Sequence, residues 1–227
     1  MQSFGFSFTD EGLHIDGIQD ADKAFTIPKE LSKKLVDLHY HLTDLDISIS
    51  SLNYILNNQK IENFVKESLW RSAIIHFTKC FTHQVTKKED IPLSRARLDE
   101  AQLFSNLDPI ALEIFKYFKL LRNKHIVHDE TAHLNSIPAV ILNNGEKEFK
   151  VERVICIGML AETLDQPSFS NLYNLVKSTR SFVIKEFDEE CNRLKLMFEN
   201  YSDEDFTNLD ILTVTFLSKD EMKKPRK

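Results

Sequence analysis

Several residue types that mark common protein classes are scarce in this chain. It has 3 cysteines, 5 glycines, 6 prolines and a single tryptophan among 227 residues. Three widely spaced cysteines, Cys80, Cys156 and Cys191, do not form the paired pattern of a disulfide-stapled secreted protein. Nucleotide-hydrolysing folds need glycines that cradle phosphates. Five glycines without such a motif argue against that class.

Long apolar runs and an excess of positive charge are also missing. No stretch approaches the roughly eighteen apolar residues of a membrane helix, and no signal-peptide pattern follows the first residues. We therefore expect a cytoplasmic protein with no membrane partner. The formal net charge of -6 argues against coating nucleic acid by bulk electrostatics. Between Lys66 and His128, however, eleven Lys and Arg stand against seven Asp and Glu. This excess indicates either a local phosphate-facing patch or a solvated face of mixed charge.

Apolar residues at helical spacing dominate the rest of the chain, and 42% hydrophobic with 28% charged residues is typical of a soluble globular protein. Pro28 at a first-turn position and Asp108-Pro109 are strong helix starts. Four long helices with short connections predict an all-α antiparallel bundle. The predicted helices run from Pro28 to Asn57-Asn58, from about Ile61 to Gln84, from Asp108 to the region of His128, and from about Phe169 to Tyr201.

The residue pattern also predicts buried faces on these helices. On the second helix we expect Phe64, Ile74, Phe77, Phe81 and either Leu69 or Trp70 to be buried. The core stripe of the third helix runs through Ile110, Ile114, Phe118 and Leu121.

Two segments depart from helical periodicity. Residues 137–142 are rich in β-branched types, Asn143-Asn144-Gly145 is a hairpin turn signal, and alternation resumes at Phe149. This predicts a β-hairpin at about 137–157, inserted in the helical fold. The domain organisation we expect is an N-terminal appendage over 1–27 containing a short hairpin, a helical bundle over 28–205, and a C-terminal extension with a basic tail over 206–227. The extension has a possible strand from Leu209 to Leu217.

The stretch from Leu120 to Asp129 concentrates groups suited to phosphodiester chemistry. Arg122 is a planar cation that fits phosphate oxygens, and His125 and His128 can exchange protons near neutral pH. A polar C-terminal turn, with cations favourable beside the helix dipole, is the plainer interpretation. At about 100° per residue, Arg122 and His128 lie about 120° apart on one ideal helix. They converge only if the helix bends near its end or if two copies meet across a twofold axis.

This stretch resembles the signature of the HEPN superfamily, a group of all-α domains, many of which are metal-independent ribonucleases. The signature is an Arg, a polar residue, four further residues and a His at the end of a bundle helix. Arg122, Asn123 and His128 match it. The Trp and Arg within residues 69–73 and the downstream hairpin are similar to the abortive-infection branch. The resemblance covers roughly residues 30 to 200, and the motif is its specific part.

The resemblance implies a fold, an activity and partners. The fold is a HEPN-like bundle that forms a homodimer with the active site at the interface. The activity is cleavage of RNA to 2′,3′-cyclic phosphate ends without cofactor or metal, in phage defence, toxin activity or stress response. His128 would be the general base or acid, Arg122 the phosphate clamp, and Asn123 the positioner of His128 or the phosphate. RNA is the implied partner, and an antitoxin or inhibitor protein is a further candidate.

Three more residues are supporting candidates. His125 provides a second imidazole or is a packed core histidine. Arg71, on the second helix, supports the motif residues or is a salt-bridged surface arginine. Asp129 orients an imidazole or simply ends the helix, where its charge opposes the dipole.

Two other functions stay open from the sequence. A catalytically silent HEPN-like module would bind RNA, a nucleotide or a protein partner through the same cleft. A zinc enzyme would use His76, Cys80 and His83, which follow one helical stripe. Leu69 and Ala73 continue that stripe, so it also fits a second packing face.

Overall fold

The computed structural model describes residues 6–9, 12–15, 23–58, 60–81, 95–104, 110–127, 134–160 and 163–212. These residues are mostly helical and contain two antiparallel two-stranded sheets. The predicted helical fold with an inserted hairpin is confirmed at this level. In chain order the elements are β1 (Phe6–Thr9), β2 (Gly12–Ile15), α1 (Lys29–Asn57), α2 (Asn63–Lys79), α3 (Glu100–Phe104), α4 (Ile110–Leu121), a π-helical segment (Arg122–Val127), β3 (Leu134–Leu142), β4 (Val151–Leu160), α5 (Gln166–Phe198) and α6 (Asp203–Thr207).

The chain divides into two compact units. Unit 1 comprises residues 1–42, 83–96 and 181–227, and unit 2 comprises residues 43–82 and 97–180. The division into an appendage, a bundle and an extension stays a prediction from the sequence.

Unit 1 contains the predicted N-terminal hairpin, in which Phe6 pairs with Ile15 and Thr9 with Gly12. Helix α6 begins with a capping box, since Ser202 accepts from the Asp205 backbone N–H and the Asp205 side chain accepts from that of Ser202. Phe25 forms an isolated antiparallel bridge with Ile211. The strand predicted from Leu209 therefore appears, within the described residues, as a single bridge. Its portion beyond residue 212 lies outside them.

A buried polar cluster in unit 1 ties residues 95–96 to helix α1. Asp37 is 8% exposed, and its side chain accepts from Lys33 Nζ at 2.7 Å and from the Ala96 backbone N–H at 3.1 Å. His41 Nε2 lies 2.9 Å from the Ala96 carbonyl oxygen, so this nitrogen donates, and Arg95 contacts the other ring nitrogen. These bonds satisfy the Asp37 carboxylate and the His41 ring and anchor the segment.

The core of unit 2 is aromatic. The Phe115 ring centroid lies 4.6 Å from that of Phe81, 5.0 Å from that of Phe104 and 5.8 Å from that of Phe77. Tilted and edge-on rings at these distances are favourable beyond simple burial. Phe115 of α4 thus joins α2, α3 and the turn after α2.

Trp70 anchors the other end of the same core. Its ring packs edge-on against Phe118 at 5.9 Å, and its Nε1 donates to Thr163 Oγ1 at 3.1 Å. Along α4, Phe115 meets the end of α2 and Phe118 meets its middle, so α2 and α4 run antiparallel. The chain that follows α4 therefore packs on the N-terminal half of α2.

The long helices agree with their predicted bounds, but the middle helices differ. Helix α2 spans Asn63–Lys79 rather than 61–84, and α4 has only 12 residues. Phe64, predicted to be buried, is 80% exposed. At about 100° per residue it lies about 80° to 120° from the buried side chains of Trp70 and Ile74.

The predicted core stripe of α4 was partly wrong. Ile110 is 61% exposed and Ile114 is only half-buried, whereas Ala111 and Phe115 are buried with Phe118 and Leu121. The buried face lies one residue further round the helix because Phe115 fills the aromatic core.

The predicted central hairpin is confirmed and is longer than expected. Strands β3 and β4 pair from Leu134 with Leu160 to Leu142 with Val151, with a register irregularity after Ile141. Gly145 adopts φ +87 in the connecting turn, and its backbone N–H donates to Asn143 Oδ1 at 2.8 Å. The Asn-Asn-Gly sequence forms this turn because glycine takes a positive φ without steric cost.

Candidate functional site

The motif residues follow helix α4 directly. Helix α4 ends at Leu121, and Arg122–Val127 continue as a π-helical segment that packs against α2. In a π-helix the hydrogen bonds span five residues instead of four, and such turns are frequent at functional sites. The sequence left open a bend near the end of the motif helix, and the winding changes after Leu121. The angle of about 100° per residue used for Arg122 does not apply beyond Leu121.

The structure brings Arg122 and Asn123 into direct contact. Arg122 Nη1 donates to Asn123 Oδ1 at 2.7 Å, and both side chains are half-buried. Arg122 Nε is buried and has no hydrogen-bond partner among the described residues. A buried guanidinium nitrogen without an acceptor is costly. The described residues therefore leave one donor of the Arg122 guanidinium unused.

Of the two histidines in the motif stretch, His125 lies within the described residues and His128 does not. His125 is half-buried in the π-helical segment, and Lys124 beside it is exposed. His128 and Asp129 lie outside the described residues. The sequence predicted His128 as the general acid or base and Asp129 as a supporting carboxylate.

Arg71 lies at the middle of α2, next to Trp70. Its Nε donates to Glu67 Oε1 at 2.9 Å, one helical turn away, and the Arg71 side chain is 41% exposed. This is the salt-bridged surface arginine that the sequence left as an alternative. This hydrogen bond to Glu67 uses the Nε edge of the Arg71 guanidinium.

In the helical stripe considered for zinc, His76 contacts the carboxylate of Asp44. His76 Nδ1 lies 2.7 Å from Asp44 Oδ1, while Cys80 is fully buried and its Sγ lies 3.7 Å from the His76 carbonyl oxygen. His83 lies outside the described residues. Within the part of the chain that is described, no group of three or more His, Cys, Asp or Glu side chains could hold a metal ion.

Asp44 was not singled out from the sequence. It sits in the middle of α1, is 4% exposed, and also lies 3.0 Å from Lys79 Nζ. The available signal was a carboxylate within an apolar helical stripe, one position before Leu45. A charged residue at such a position predicts a buried partner of opposite sign.

Arg97 is a second arginine with unsatisfied nitrogens. Its Nη1 donates to the Phe81 carbonyl oxygen at 3.4 Å, and its Nε and Nη2 are buried without a hydrogen-bond partner among the described residues. Because Phe81 follows the C-terminal end of α2 while the motif segment packs on its N-terminal half, Arg97 and Arg122 do not form one cluster.

A shallow groove runs along α1 in unit 2. Its volume is about 510 Å³, and no motif residue lines it. It is lined by Thr43, Asp46, Ile47, Ser50, Ser51, Tyr54 and Leu69. The candidate site at Arg122 is therefore not part of this groove.

None of the helices in the described residues is both long and apolar enough to cross a membrane. Comparison of the chain with protein-family models, with curated proteins and with solved structures found no match.

Proposed function

We propose that the chain is a HEPN-type endoribonuclease that works without a metal, as a homodimer with the active site at the interface. The observation that carries this proposal is Arg122 at the start of the π-helical segment. Its guanidinium is held by Asn123, and its buried Nε has no acceptor among the described residues. An arginine fixed in this way is suited to a phosphate group, because its donors lie in one plane.

The reaction we propose is transesterification within the RNA chain. The 2′-hydroxyl loses its proton to a general base and attacks the adjacent phosphorus, and the bond to the 5′-oxygen breaks as that oxygen gains a proton. The products are a 2′,3′-cyclic phosphate and a 5′-hydroxyl. His128 supplies one of the proton transfers, and Arg122 stabilises the charge that builds on the phosphate oxygens.

The contact between Arg122 and Asn123 refines the role proposed for the amide. Asn123 Oδ1 accepts from Arg122, which leaves the Nδ2 group of the same amide to donate elsewhere. Asn123 thus positions the guanidinium and still offers a donor to a phosphate oxygen. His125 and Asp129 are supporting candidates in the proposal, and Arg71 supports the site through its ion pair with Glu67.

The test is incubation of mixed RNA and matched DNA with the wild-type protein, in EDTA throughout. We expect cleavage of RNA only, because DNA has no 2′-hydroxyl, and mass spectrometry should find cyclic phosphate ends. His128→Ala should abolish cleavage. His39→Ala, which removes an exposed histidine of α1, should leave it intact.

RNA binding without cleavage by the folded wild-type protein would overturn the enzymatic proposal. It would favour a catalytically silent module that binds through the same surface. Cleavage that survives in His128→Ala would remove the assigned general acid or base.

A further inference from the structure

The β3–β4 hairpin exposes apolar side chains on a ribbon that has only two strands. Two strands alone are marginally stable in water, and a hydrophobic face normally packs on a further layer. Contiguous exposed apolar patches of this kind mark interaction surfaces. Among the described hairpin residues, those with exposed large apolar side chains are Ile137, Val140, Ile141, Leu142, Phe149, Val151, Val154 and Ile157.

Cross-strand pairing separates these side chains into two faces. Directly opposite residues of an antiparallel pair lie on the same face, and Val140 is opposite Val154 while Leu142 is opposite Val151. These four side chains are between 47% and 68% exposed. We call this surface the Val140 face. The exposed Cys156, opposite Pro138, also belongs to it.

The opposite face is less exposed and carries a charge. Ile137 pairs with Ile157 and Ala139 with Ile155, and Arg153 lies opposite Ile141. Ala139 and Ile155 are half-buried, and the exposed isoleucines there are between 42% and 48% exposed. The Val140 face is therefore the more open of the two.

We propose that the Val140 face is a dimerisation surface that packs on a second copy of this chain. Across a twofold axis, the hairpin of each copy packs on the other copy. Charged side chains on an edge strand disfavour pairing with another strand. Glu152 and Arg153 stand on β4, and β3 contains Pro138, which has no backbone N–H to pair with another strand. The face is therefore the docking surface and the two edges are not.

The size of the ribbon favours a second copy over a single-site partner. Ten residues of β4 extend about 33 Å, and two strands are about 10 Å wide, so one face covers about 330 Å². Docked once on another protein it would bury about 660 Å² on both sides together, below the roughly 1,000 Å² of a biological interface. Two exchanged hairpins bury about 1,300 Å², within the range of stable complexes.

The test compares two cross-strand double variants by sedimentation equilibrium. Val140→Lys with Val154→Glu places an ion pair on the proposed docking face, and Ile137→Lys with Ile157→Glu places the same pair on the opposite face. Opposite charges across strands keep both hairpins paired. We expect the first variant to weaken the dimer about thirtyfold or more and the second to leave it near wild type.

Reaction of Cys156 with a maleimide gives a second measurement on the intact protein. In the wild type, labelling should slow as protein concentration rises, because the dimer covers the thiol, and a Cys156→Ser variant identifies the signal. In the Val140→Lys, Val154→Glu variant the rate should not depend on concentration.

A wild-type chain that is monomeric at tens of micromolar would overturn the proposal, and so would equal dissociation of the two double variants. Association is measured here without RNA. A failure of ribonuclease activity would therefore leave this contact intact, whereas a monomeric wild type would also remove the homodimer from the proposed function.

Discussion

The Nδ1 atom of His76 lies 2.7 Å from a carboxylate oxygen of Asp44, and Lys79 Nζ lies 3.0 Å from the same oxygen. Asp44 is 4% exposed. A buried carboxylate remains charged only when donors surround it. These two contacts fix how α2 lies against α1 within unit 2.

Replacing Asp44 with alanine should destabilise the protein by about 1.5 to 3 kcal/mol, the range for hydrogen bonds to charged groups. The loss stays moderate because the His76 and Lys79 side chains are 27% and 50% exposed and water can solvate them. Urea unfolding of wild type and variant measures the difference. Asp46→Ala is the matched control, since its ion pair with Arg180 is partly exposed and should cost less than about 1 kcal/mol. Equal losses from the two variants would contradict the buried role of Asp44.

Gly145→Ala should destabilise the central hairpin by about 1 kcal/mol, because alanine is strained at φ +87 while glycine is not. An added Cβ would meet no atom within 4 Å, so the effect comes from the backbone alone. Hydrogen exchange of the β3 and β4 amides should report it. Gly158→Ala in β4 also meets no atom within 4 Å and has no positive φ. It should leave the exchange rates near those of the wild type.

Stability should fall in acid through Glu190. A hydrogen bond from Arg193, together with the charges of Arg193 and Lys34, holds the pKa of Glu190 below its ordinary value of 4.5, although burial acts in the opposite direction. The unfolded chain therefore binds a proton more readily than the folded chain. The stability from this carboxylate is fully present above pH 4.5 and is lost as pH falls through the lower pKa of the folded state.

Measuring the unfolding free energy of wild type and Glu190→Gln from pH 7 to pH 3 tests this. The difference between the two proteins should be constant above pH 5 and shrink below pH 4.5. Glu189→Gln is the control, because its carboxylate is 57% exposed and lies 3.7 Å from Lys185, where solvent screens the pair. A difference that grows in acid would contradict the assignment.

Arg122→Lys should reduce RNA cleavage by about a hundredfold, although it keeps the positive charge. Lysine has no planar set of donors, so it cannot hold Asn123 Oδ1 and a phosphate in the same geometry. Loss of one positioned donor typically costs about two to three orders of magnitude in rate.

Arg71→Lys provides the comparison for Arg122→Lys. A lysine at this position can keep the ion pair with Glu67 one turn away, so cleavage should stay near the wild-type rate. A large loss in Arg71→Lys would move Arg71 into contact with the substrate. Initial rates on one RNA at saturating concentration decide between these outcomes.

Local signals in the sequence predicted the helices and hairpins well. Pro28 marks where α1 starts, and this signal is visible without tertiary contacts. Asn143-Asn144-Gly145 predicted the turn because only glycine takes a positive φ freely. These features depend on neighbouring residues along the chain.

The features that sequence did not predict depend on packing. Phe115 rather than Ile114 enters the core because rings from α2 and α3 surround it, and hydrophobicity alone does not rank the two. The change to π-helical winding after Leu121 has no local signal in Arg122–Val127. The contact between His76 and Asp44 joins residues 32 positions apart. Periodicity within a single helix carries no information about such a pair.

Trp70 gives the chain an internal optical probe. It is the single tryptophan of the sequence, its side chain is fully buried, and it belongs to unit 2. Its fluorescence should therefore follow the unfolding of unit 2, whereas far-ultraviolet circular dichroism follows the helices of both units. If the two units melt separately, the two signals will have different midpoints, and coincident midpoints will mean that they unfold as one.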